Sequence, residues 1–140
     1  MTPPVPDVSP PDALGPHLLA ACHRLPAAEL SRPFGPQPAV FTVGGKMFAL
    51  FSGPGDGAAP DRVTLKCDPE YASSLVREHE AVSRGYHMNK RHWITVDLDA
   101  GLPEALTEDL VVDSYDLVVA SLPRRLRVAV DVARRYPPPS

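Results

Sequence analysis

Apolar residues recur along the chain at two different spacings. Leu14, Leu18, Ala21, Cys22 and Leu25 fall at helical intervals and predict a first amphipathic helix ending near Pro26. AELSRPFGPQP (28–38) carries no such period and is expected as a loop. AVFTV (39–43) and KMFALF (46–51) then alternate on either side of Gly44-Gly45, a pair that tolerates the positive φ angles of a type I′ turn. A two-residue turn there pairs Val43 with Lys46 and sets Phe41 opposite Phe48. After the Gly/Pro-rich SGPGDGAAPD, expected to be mobile, RVTLKC (62–67) places Val63, Leu65 and Cys67 on one face and Arg62, Thr64 and Lys66 on the other. That pattern predicts a strand with one buried and one wet side.

Asp68-Pro69 is a helix start, with Asp as N-cap and Pro in the first turn, and Tyr71, Ala72, Leu75 and Val76 form the stripe that follows. HWITVDL (92–98) alternates again, with Ile94, Val96 and Leu98 inward and Trp93 and Thr95 outward. A long helix is predicted from Pro103 to about Leu122, with Leu110, Val111, Ser114, Tyr115 and Val118 inward, and Pro123 ends or bends it. RRLRVAVDVARRY (124–136) carries both periods, and its Ala and Arg content favours helix. The expected class is α+β: a two-layer sandwich of about five antiparallel strands in the order α-β-β-β-α-β-β-α, helices on one face and the other face partly open. The 140 residues suit a single domain, with the Pro-rich ends (1–10 and 136–140) as flexible tails.

Composition narrows the function classes. Hydrophobic residues are 44% and charged residues 22%, and no run approaches the ~20 apolar residues of a membrane span. The N-terminus lacks the basic start and apolar core of a secretory signal, so the expectation is a cytoplasmic protein without membrane contact. Cys22 and Cys67 form no CxxC pair and are expected as reduced thiols. The net charge of −3 argues against general affinity for nucleic acid, but the charge is uneven. Arg84, Lys90 and Arg91 lie between Val82 and Ile94 with no acid; seven acids and no base lie between Asp97 and Asp116; five arginines stand against Asp131 between Arg124 and Arg135.

The segment YHMNKRHW (86–93) concentrates the candidate chemistry. As two arms of a hairpin around residues 88–91, it sets His87 opposite His92 and Tyr86 opposite Trp93, with Lys90 and Arg91 at the tip. Trp93, Thr95 and Tyr86 would then share the open face with Arg62, Thr64 and Lys66, a surface suited to phosphates and stacked bases. Solvated cations around a packed tryptophan are the simpler alternative. A zinc site at His87 and His92 would need Cys67, His79 or Asp97 to converge, and no spacing supports that, so neither metal nor cofactor is expected. Asp97 and Asp99 suit a turn, Glu104 and Glu108 suit the first turns of a helix, and Asp113 and Asp116 suit a solvated face. Cys67 precedes a helix N-terminus, but its alternation with Val63 and Leu65 points it into the core. Gly44-Gly45-Lys46 lacks phosphate-loop spacing. No constellation here demands an enzyme.

PFG (33–35), VGGKMFAL (43–50), LKCDPE (65–70), GYHMNKRHW (85–93) and SYDLV (114–118) followed by Leu122-Pro123 resemble, in that order, the MmcQ/YjbR family. The resemblance runs from about His17 to Arg127. It implies a compact α/β domain of the CyaY-like or secretion-chaperone-like kind, and DNA binding through a double-wing motif, with no catalytic residues and no cofactor. The matching positions Lys46, Lys66, Lys90, Arg91, His92 and Trp93, with Arg84, are the expected nucleic-acid-binding residues. The functional expectation is a non-enzymatic DNA-binding protein; the alternative is a small module whose open sheet face holds a protein partner or a ligand.

Overall fold

Alternating runs of apolar residues make strands, and six of them close into one sheet. The computed structural model describes residues 10–32, 39–53, 60–85 and 91–136, with side chains in the first helix from Leu14 onward. The elements are α1 (Pro10–Arg24), β1 (Ala28–Ser31), β2 (Ala39–Val43), β3 (Lys46–Ser52), β4 (Arg62–Lys66), α2 (Pro69–Glu78), β5 (Val82–Arg84), β6 (Trp93–Asp97), α3 (Glu104–Ala120) and α4 (Arg124–Arg135). The sheet runs β1-β2-β3-β4-β6-β5, antiparallel throughout. The α+β class holds, with six strands rather than about five. Residues 1–9 and 137–140 of the expected tails, the PFG segment, residues 54–59 of the GPGDGAAP loop and the tip residues Tyr86, His87 and Lys90 lie outside the described residues.

The extra strand is β1, inside the segment expected as a loop. Its four residues pair with β2 from Ala28↔Val43 to Ser31↔Val40. Ala28 and Leu30 pack against the core, but two apolar positions are too few to register as a period. The N-terminal helix also begins earlier than its apolar stripe, at Pro10; prolines 10 and 11 occupy its first turn, where a missing N–H costs nothing.

The Gly44-Gly45 turn is two residues long, with φ of 59° and 83°, and Val43 pairs with Lys46 as the sequence predicts. The next pairs depart from expectation. Phe41 stands opposite Ala49, not Phe48, because a bulge separates Thr42↔Met47 from Phe41↔Ala49. Phe48 and Phe51 are three positions apart, so a regular strand would send one of them to solvent. The additional residue turns both inward, and both are fully buried.

The bulge leaves polar groups that the ladder cannot serve, and α3 supplies the remedy. The Ser114 hydroxyl, fully buried, donates to the Phe48 carbonyl at 2.6 Å and accepts from the Lys66 N–H at 2.8 Å. It thereby bridges β3 and β4 where direct pairing stops. Around it pack Phe41, Phe48, Phe51, Leu65, Ile94, Leu110, Val111 and Tyr115. Phe48 and Tyr115 meet edge to face at 5.4 Å, and the Tyr115 hydroxyl donates to the Pro26 carbonyl at 2.5 Å. Helices α1, α2 and α3 cover this inner face, and α4 packs against α3.

Candidate nucleic-acid interface

Register decides which end of the sheet each charge occupies. Lys46 opens β3 beside the turn. Because Ala49 pairs with Leu65, Lys66 closes β4 at the same end. Lys66 pairs with Trp93 and Arg84 with Ile94, so the start of β6 and the finish of β5 lie there too. Lys46, Lys66, Trp93 and Arg84 therefore line one end across four adjacent strands, a span of about 14 Å at ~4.8 Å per strand step. Arg91 joins them, lining a shallow groove with Pro69, Glu70, Ser73 and Arg84.

These side chains reach that end from both faces. Lys66 and Trp93 are half-buried neighbours on the outer face, which none of α1, α2 and α3 covers. Arg84, paired with Ile94, points to the helix side and donates to the Ser73 hydroxyl of α2 at 2.7 Å. Lys46 is exposed and donates to the Ser121 carbonyl at 3.3 Å, which brings the α3–α4 corner, and so the start of the arginine-rich helix, to the same end. His92 gives its backbone carbonyl to the Cys67 N–H at 2.7 Å. Lys90 lies outside the described residues. Asp68 and Glu70 also stand here: Asp68 caps α2, accepting from the Glu70 and Tyr71 N–H groups at 3.1 and 3.2 Å.

Two details of the expected hairpin change. Gly85, not Tyr86, stands opposite Trp93, donating its N–H to the Trp93 carbonyl at 2.7 Å. A β-carbon at Gly85 would sit 2.5 Å from that of Trp93 and 2.9 Å from its carbonyl oxygen, so the β5 and β6 backbones approach there as closely as only glycine allows. The outer face is also less wet than its alternation suggests. Thr64 and Thr95 are buried and share a hydrogen bond at 3.0 Å, so polar residues close the centre of that face among themselves.

The arginine-rich helix is partly committed to structure. Arg134 bonds to Asp116 and lies 4.9 Å over the Tyr115 ring, and Arg127 donates to the Leu122 carbonyl at 3.1 Å. Cys67 is buried, as its alternation predicts. Burial first, then Asp68 and Asp113, push its thiol up to about 11, with Arg84 pulling the other way; such a thiol is a weak nucleophile at neutral pH.

The opposite end of the sheet is acidic. Asp61, Arg62, Glu80 and Asp97 line a groove there, Arg62 donates to Asp61 at 3.3 Å, and Asp97 accepts from the Asp99 N–H at 2.9 Å. Sequence reasoning missed one cluster on that side. His17 of α1 meets Glu104 and Glu108 of α3, and only the spacing of the two glutamates, one helical turn apart, was visible beforehand.

No described helix is long and apolar enough to cross a membrane. The YjbR family model matches residues 23–117. The chain is 42% identical over 101 residues to YbdF of Escherichia coli O157:H7, covering 72% of this chain and 80% of that protein. It is 40% identical over 57 residues to YyaQ of Bacillus subtilis (strain 168), covering 41% and 48%. Both relatives are described as uncharacterised. Among solved structures it superposes on protein DR2400 of Deinococcus radiodurans, described as a DUF419 domain, with a TM-score of 0.72, 35% identity and coverage of 81% and 85%. A Pseudomonas syringae crystal structure gives 0.62 at 29% identity, covering 74% and 97%. With the family model matching well over half its length, the chain belongs to the YjbR family.

Proposed function

We propose that this protein binds DNA without catalysing a reaction, holding backbone phosphates at the basic end of its sheet beside Trp93. One observation carries the reading: register gathers Lys46, Lys66 and Arg84 at one end, with Arg91 in the adjoining groove, and leaves Asp61, Glu80, Asp97 and Asp99 at the other. Phosphate contacts need cations at a common surface, and the net charge of −3 then acts by restricting approach to that end. Binding of this kind is salt-sensitive and carries little sequence preference. The raised thiol pKa of Cys67 supports a binding role over nucleophilic chemistry at the same place.

A second reading, a module for a protein partner, draws support from the outer face, where Val40, Met47 and Leu50 are half-exposed alongside Trp93. Trp93, the sole tryptophan, reports on both. Its emission should change as a short duplex is titrated in at low salt and return when salt is added. An emission unchanged at excess duplex overturns the DNA reading and leaves the partner module as the better one.

A further inference from the structure

We infer that His17, Glu104 and Glu108 form a binding site for a divalent transition-metal cation at the junction of α1 and α3. Glu104 and Glu108 lie four residues apart in the first turns of α3, so both project from one side of that helix. His17 reaches them from α1. Its Nε2 lies 3.6 Å from Glu104 Oε2 and in direct contact with Glu108 Oε2, and the three donor atoms all lie within 4.8 Å of one another.

The donor set is more than an ion pair requires. One ring nitrogen carries one proton and can donate to one carboxylate, so the second carboxylate is left facing an acceptor and its own like charge. A dication among the three atoms resolves both conflicts. Metal–ligand bonds of about 2.0–2.2 Å place tetrahedral ligands roughly 3.4 Å apart, close to the 3.6 Å already present between Nε2 and Oε2. Glu108 Oε2, in contact with Nε2, would draw back to that separation on binding; its side chain and that of Glu104 are 41% and 61% exposed, so both can readjust without moving either helix. Three protein donors leave positions for water, and the imidazole favours zinc, cobalt, nickel or copper over calcium and magnesium. Bound there, the ion would clamp α1 onto the sandwich, well away from the basic end.

Zinc chloride is the probe, with each variant's melting temperature measured against its own metal-free value. At an ion concentration about a hundred times Kd, the wild type should melt roughly 8 °C higher. His17→Ala and Glu104→Gln should each abolish most of that gain; Glu104 is exposed enough that its variant folds. His92→Ala and Glu80→Gln should keep it. Cobalt should bind with equal stoichiometry and without a thiolate charge-transfer band. No zinc-dependent gain in the wild type, a gain that survives His17→Ala and Glu104→Gln, or a thiolate band from Cys22 or Cys67 would each overturn the site.

Discussion

The two ends of the sheet use charge differently. At the end formed by Asp61, Arg62, Glu80 and Asp97, acids hold turns and answer a single arginine, and Asp97 caps the turn that follows β6. At the other end, cations from three strands and a loop gather beside a half-buried tryptophan; of the two acids that stand among them, Asp68 caps α2 and Glu70 lines the groove shared with Arg84 and Arg91. One end thus gathers acids around a single arginine, and the other gathers cations that also bond to Ser73 and to the α3–α4 corner. The difference teaches that a net charge of −3 says little about what a given surface attracts.

The comparison depends on strand register, so the largest effects should come from breaking what fixes it. Ser114→Ala removes the one hydroxyl serving both the Phe48 carbonyl and the Lys66 N–H. Stranding two buried backbone groups should cost roughly 3 kcal/mol, read as a lower urea midpoint at unchanged m. A loss under about 0.5 kcal/mol would mean β3 and β4 are held by other means.

Gly85→Ala comes next. Its β-carbon would collide with Trp93 at 2.5 Å, so destabilisation of roughly 2 kcal/mol is expected, together with a changed tryptophan emission in the folded state. Wild-type stability and emission would show that Trp93 is not held this closely against Gly85.

Alkaline pH tests whether chemistry hides at the basic end. Burial pushes Cys22 up to about 12 and Cys67 up to about 11, against an ordinary thiol near 8.5. Both are acids raised on folding, so the native state holds its protons longer than the unfolded chain. Their stabilisation is complete below about pH 8.5 and is lost as pH rises toward 11–12, at no more than about 1.4 kcal/mol per pH unit for each thiol. Stability should fall over that window, and alkylation of the native protein at pH 8 should be slow. Fast labelling of Cys67 at that pH would instead assign it a reactive role.

The smallest effect belongs to the acidic end. Glu80→Gln, exposed and far from the cations, should alter duplex affinity less than twofold at 0.1 M salt, since the screening length there is about 10 Å. A larger gain in affinity would extend the interface beyond the basic end.

Much of this was legible in the sequence, for reasons that differ by element. The β2–β3 turn, the Asp68 cap of α2 and the inward faces of β4, β6 and α3 follow from local rules, which survive folding. β1 was hidden because four residues with two apolar positions give no period. The bulge at Phe48 was hidden because it is decided by two phenylalanines that must share a core, a tertiary requirement. That Lys66 and Trp93 share a face was legible from alternation, whereas their adjacency needed the β4–β6 register and the helix-side placement of Arg84 the β5–β6 register. His17 was invisible as a partner of Glu104 and Glu108, because its contact with Glu108 joins residues 91 positions apart in chain order.

Titration of a labelled duplex at several salt concentrations, into the wild type and into Lys66→Ala/Arg91→Ala, tests the basic end most directly. Each phosphate contact contributes about 0.9 to the slope of log affinity against log salt, so the double variant should bind more weakly at low salt with a slope shallower by roughly two units. Identical affinity and slope in the two proteins, or no wild-type binding at the lowest salt, would contradict the account.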